Sequence, residues 1–178
     1  MADLIRDWAG QERLFRLTFG GVLDLQEARH GEPVGAIFVR IATGRFDARD
    51  VWQVIRLALV GGGMSPVEAK RLMDDHFDAH PYLQHAELAG DILTALMTGI
   101  ESSGRSDAAE PEAIRISEVL QLCRTFNLSP VDLRAMRYSD VINLVAGFNA
   151  AGAGRRMQPP TEEEFLEMLA KYEPDAAI

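Results

Sequence analysis

Apolar residues recur along this chain with two periods. Between Arg13 and Phe19, Leu and Phe alternate with Arg and Thr, the two-residue period of a half-buried strand. The residues before it, Met1 to Gln11, form a mixed lead-in in which Leu4, Ile5 and Trp8 have the spacing of one helical turn. A strand requires a partner, and the lead-in is the only candidate nearby. The pattern therefore predicts a small N-terminal hairpin at most, or an extended segment lying on helices. From Val22 onward the period is helical. Val22, Leu23, Leu25, Gln26 and Ala28 predict a short helix to His30, stopped by Gly31 with Pro33 beyond it. Val34, Ile37, Phe38 and Ile41 form a stripe at i, i+3, i+4 and i+7 that ends at Gly44. Asp47, three residues ahead of Asp50, reads as the N-cap of a third helix through Val51, Val54, Ile55 and Ala58. Gly61-Gly62-Gly63 end that helix, each disfavoured by about 1 kcal/mol relative to Ala, and read as a flexible turn.

Ser65-Pro66-Val67-Glu68 combines an N-cap Ser, a Pro at the first helical position and a Glu three residues after the cap, which predicts a helix to Phe77. Pro81 restarts the chain. Leu83, Ala86, Leu93, Leu96, Met97 and Ile100 mark a long amphipathic helix to about Gly99. Residues 101–111 are polar, contain Gly and Ser, and read as a linker. Beyond them Ile116, Val119, Leu120, Cys123 and Phe126 make another stripe. Ser129-Pro130-Val131-Asp132 repeats the start signal seen at Ser65, and Ser139 opens a helix through Ile142, Val145 and Phe148, closed by Gly152 and Gly154. Arg155 to Pro160 is a second loop, and Thr161 caps a last helix carrying Phe165, Met168, Leu169 and Tyr172. The expectation is a mainly α protein, a helical bundle with a small N-terminal β element. Residues 1–100 form its main domain, 101–111 a linker and 112–178 a smaller C-terminal helical segment.

At 178 residues and 47% hydrophobic content the chain can bury a substantial core without metals or disulfides. The lone Cys123 has no intramolecular partner and lies on an apolar stripe, where it reads as a core thiol. The longest apolar run, Leu57 to Met64, is far short of a membrane span, and no secretory signal opens the sequence; the expected location is cytoplasmic. A net charge of −9, with Arg40, Arg45, Arg49 and Arg56 scattered rather than massed, argues against nucleic acid as a partner.

Candidate chemistry is thin. Asp74, Asp75, His76, Asp78, His80 and His85 are the one grouping of metal-ligand type, but their spacing fits no established motif and suits a solvated helix end. Gly61 to Ser65 resembles a phosphate loop only superficially, since the next lysine, Lys70, falls in mid-helix. Nothing indicates catalysis, a cofactor or a resident metal. An interaction surface is the better reading: Trp52, Ile55 and Leu59 on the third helix, with Leu93, Leu96, Met97 and Ile100 on the fifth, offer more apolar face than a small bundle needs.

One family shares this order of features. Arg16-Leu17-Thr18-Phe19-Gly20, then Leu23, Leu25 and Glu27, the Ala42-Thr43-Gly44 turn, Asp50-Val51-Trp52, and Ile55-Arg56-Leu57-Ala58-Leu59 ending in glycines resemble the gene-transfer-agent type of phage tail assembly chaperone. The resemblance covers Leu14 to Ile100 and rests on pattern and order. It implies a non-enzymatic protein that coats a tape measure protein, shields its apolar helices until tail-tube subunits displace it, and self-associates. The alternative it leaves is a structural tail component, tube or connector, retained in the particle. Residues 112–172 have no match in the short family pattern.

Overall fold

A computed structural model describes residues 3–100 and 112–153. The linker expected at 101–111 and the last helix expected from Thr161 lie outside the described residues. The alternating segment is one arm of a hairpin: β1 (Leu4–Trp8) runs antiparallel to β2 (Gln11–Phe15), with Leu4 opposite Phe15 and Trp8 opposite Gln11. Ala9 and Gly10 close it at φ 50° and 74°, the paired left-handed residues of a two-residue hairpin loop whose twist matches the strands. The helical spacing of Leu4, Ile5 and Trp8 thus yields to strand pairing. The second strand stops at Phe15 rather than Phe19, because Thr18 is a helix cap: its hydroxyl accepts from Gly21 N–H at 3.1 Å.

Eight helices follow among the described residues: α1 (Phe19–Ala28), α2 (Val34–Ala42), α3 (Ala48–Gly61), α4 (Pro66–His76), α5 (Tyr82–Met97), α6 (Ile116–Phe126), α7 (Pro130–Ala135) and α8 (Tyr138–Ala153). Besides α1, three start where side chains satisfy the free amides of a first turn. Asp47 accepts from Asp50 N–H at 2.9 Å and the Asp50 carboxylate turns back toward the Asp47 amide; Ser65 and Glu68 make the same reciprocal pair; Ser129 accepts from Asp132 N–H at 3.1 Å. α1 ends as Gly31, at φ 85°, donates to the Gln26 carbonyl at 2.8 Å.

The central element is α3, which touches α1, α2, α4, α5 and β2. Val51, Val54, Ile55, Ala58 and Leu59 are each no more than 1% exposed. Beside its C-terminal turn the end of β2 passes at close range, and Arg16 N–H donates to the Ala58 carbonyl at 3.0 Å. The glycines there are packing residues. A Cβ on Gly61 would lie 2.1 Å from the Arg16 carbonyl oxygen, and one on Gly62 1.9 Å from that of Leu14. Only Gly63, at φ 108°, serves the turn itself.

A second, smaller core joins Phe19 of α1 to Val119, Cys123, Leu133 and Val141. Phe19 N–H donates to the Met136 carbonyl at 2.9 Å. Gly20 lets α7 come close, since a Cβ there would stand 2.9 Å from both the Cβ and the carbonyl oxygen of Arg134. The chain divides into two compact units, Met1–Asn143 and Leu144–Ile178. The first contains the hairpin, α1 to α7 and both cores; the described part of the second continues α8. Gly152 lies within that helix rather than ending it.

Candidate interaction surface

Helical periodicity identifies apolar positions without saying which of them a neighbour will cover, and α3 has neighbours on most sides. Ile55 and Leu59 are therefore interior, 0% and 1% exposed, and Leu93 and Leu96 of α5 meet the same core at 0% and 3%. Trp52, Met97 and Ile100 remain half-buried. Four of the seven residues expected to bind a partner are thus core, and two of the three half-buried ones, Trp52 and Met97, open into separate clefts.

The Trp52 cleft, about 450 Å³, lies between the start of α3 and the α4–α5 junction, with Arg49, Gln53, Phe77 and Tyr82 in its walls. Arg56 holds its guanidinium carbon 5.4 Å from the Trp52 ring centroid, a cation–π distance. Gln53 Oε1 steadies that guanidinium, accepting from Nε and Nη2 at 3.2 and 3.0 Å. The Met97 cleft, about 350 Å³, is walled by Val34 and Gly35 at the start of α2, by Tyr138, and by Ile114 from the segment leading into α6. Tyr138 stacks on Phe19, and burial pushes its phenol above the ordinary value.

The histidine grouping resolves into local structural contacts. Trp8 Nε1–H donates to His85 Nδ1 at 3.4 Å, so the proton of the neutral ring sits on Nε2, which donates to the Phe77 carbonyl at 3.0 Å. Burial lowers the His85 pKa below the imidazole value, and the Phe77 carbonyl opposes that shift. Asp74 takes Lys70 Nζ at 2.6 Å and Asp78 accepts from the Tyr82 hydroxyl at 3.0 Å. Among the described residues no three His, Cys, Asp or Glu side chains converge as metal ligands. None of the described helices is long and apolar enough to cross a membrane.

Two features were not legible as sites. Asp50, 0% exposed, is gripped by Arg40 through Nε and Nη2 at 3.0 Å each and by Arg29, whose Nε lies 2.8 Å away. Arg29 also pairs with Asp47 at 2.8 Å, and Arg40 with Glu32. In the sequence Asp50 reads only as first-turn acidic support; the two arginines reach it from α2 and from the residue after α1. Gln26, a member of the α1 apolar pattern, is 4% exposed, and neither atom of its carboxamide has a hydrogen-bond partner among the described residues.

A family model described as "Phage tail tube protein, GTA-gp10" matches residues 3–99, the hairpin and all of α1 to α5. No curated protein and no solved structure matches the chain.

Proposed function

The chain belongs to the family described as phage tail tube protein, GTA-gp10, and from that membership we propose that it is a tail assembly chaperone. In this reading it binds a tape measure protein, keeps its apolar segments soluble, and yields them to tube subunits as the tail grows, without making or breaking a covalent bond. The family match carries the tail-related part. The chaperone part is supported by the half-exposed Trp52 and Met97 clefts, which suit a flexible polypeptide, and by the net charge of −9, which keeps a coated complex dispersed.

Co-expression with the tape measure protein tests the proposal. The partner is expected to move from the pellet to the soluble fraction and to co-purify with this chain; a partner equally insoluble with and without it overturns the reading.

A second reading, a subunit retained in the tail, is favoured by the family's own description as a tube protein. Against it stands the shape of the sheet. Only two strands are paired among the described residues, which offers little edge for the strand-to-strand joining of a β-built tube.

A further inference from the structure

Among the described residues Gln26 is a buried side chain with both polar atoms lacking a hydrogen-bond partner. Leaving a buried carboxamide without partners is unfavourable, and native chains seldom do so. Two clefts flank it. One, about 350 Å³, is the Met97 cleft; the other, about 330 Å³, has Leu23, Glu27, Gly31 and Arg134 in its walls. Gln26 and Ile114 line both, so these two side chains form the partition between them. Ile114 sits in a stretch without regular secondary structure, residues 112–115, and packs against both cores. The start of α2 faces the first cleft, and no side chain caps it, which leaves donors of its first turn for an incoming acceptor.

We infer that this partition is the docking point of the partner polypeptide: an extended segment displaces Ile114, lays its main chain on the Gln26 carboxamide, and seats an apolar side chain against Val34, Met97 and Tyr138. A carboxamide presents an acceptor and a donor side by side, and the main chain of an extended peptide presents the converse pair. The walls select an apolar side chain beside that backbone. Glu27 and Glu112 at the rims, with the overall charge of −9, favour a neutral or basic segment over an acidic one. The partner is captured in extended form, before its helices satisfy their own amides. The inference rests on the chaperone reading and adds the place and form of binding.

Its test titrates the full chain, Gln26→Leu and Ile114→Ala against labelled overlapping peptides tiling the tape measure protein, and records the melting temperature of each variant. The wild type is expected to bind apolar, neutral or basic peptides. Gln26→Leu removes the unmet polar groups, so it melts higher yet binds about ten-fold more weakly. Ile114→Ala opens the partition, so it melts lower yet binds more tightly. Stability and binding moving in opposite directions in both variants is a result that a purely structural role does not give. Wild-type binding with Gln26→Leu unchanged overturns the docking point and leaves the chaperone reading standing; a wild type that binds no peptide overturns both. A Gln26→Leu chain that loses binding but also melts lower assigns the amide to a buried water and overturns the inference. So does loss of self-association in place of peptide binding, which gives the groove to a second copy.

Discussion

Gly61→Ala separates local propensity from tertiary contact, because the two predict opposite signs. In a helix, Ala is favoured over Gly by about 1 kcal/mol, so if the α3 glycines were only a flexible end, the substitution would be neutral or stabilising. The structure puts the new Cβ 2.1 Å from the Arg16 carbonyl oxygen, where ordinary contact is 3.4–4 Å. The obstacle is backbone, which cannot swing aside as a side chain can. β2 must therefore retreat by roughly 1 Å, enough to weaken both hydrogen bonding and dispersion contacts. The Arg16 N–H bond to Ala58 is strained or lost, and Phe15 and Leu17, 1% and 4% exposed, are lifted from the core. Overpacking of this kind costs about 1–3 kcal/mol and a buried amide left unpaired about 1–3 more. Set against the propensity gain of about 1 kcal/mol, the net is a destabilisation of about 1–5 kcal/mol, or roughly 2–20 °C in melting temperature. Urea denaturation and thermal melts of Gly61→Ala beside Gly90→Ala supply the assay. A Cβ on Gly90, in the interior of α5, would meet only Ile41 Cγ2 at 3.7 Å, so that control is expected to gain about 0.5–1 kcal/mol. If Gly61→Ala matches or exceeds the wild type in stability, the close passage of β2 over α3 is wrong.

Two further outcomes follow from the charged and titrating groups. Asp50→Ala removes one member of a buried pair and a cap together; with Arg29 and Arg40 still 15% and 27% exposed and able to reach water, the loss is about 3 kcal/mol, whereas Asp74→Ala breaks an exposed i,i+4 pair with Lys70 and costs less than about 0.5 kcal/mol by denaturant titration. His85, its folded pKa depressed by burial, contributes stability that is fully present above the ordinary imidazole value and is lost as pH falls from there through the folded value, because the unfolded chain takes up the proton first. Urea midpoints between pH 7 and pH 5 should therefore fall more steeply for the wild type than for His85→Phe; equal slopes would remove His85 as the cause.

What the sequence discloses and what it withholds divide by range. Asp47, Ser65 and Ser129 announce helix starts because a cap is settled within four residues, and the Val34, Ile37, Ile41 stripe defines α2 for the same local reason. Thr18 was hidden because Leu17-Thr18-Phe19 continues the strand alternation of Arg13 to Phe15; the cap shows only when Gly21 is seen to be its partner. Gly61 and Gly62 look like any glycine-rich helix end, and their use depends on a strand more than forty positions earlier in the chain. Whether residues 112–143 pack on the N-terminal helices is likewise a tertiary question, answered by Gly20 against Arg134 and Phe19 against Leu133. The interaction surface suffered most. Ile55 and Leu93 carry the same periodic signal as Trp52 and Met97, and only the arrangement of neighbours sorts interior from cleft. Gln26 gave a polar letter in an apolar pattern, but its lack of a hydrogen-bond partner among the described residues is a property of the fold.

The most direct measurement of the chaperone role is quantitative mass spectrometry of this chain, the tape measure protein and the tube subunit, in assembly intermediates and in mature particles from a producing cell. A chaperone is expected to accompany the tape measure protein at a fixed ratio before the tube forms and to be depleted from finished particles. A constant ratio of this chain to tube subunit in the mature particle contradicts that role and makes the chain a structural part of the tail.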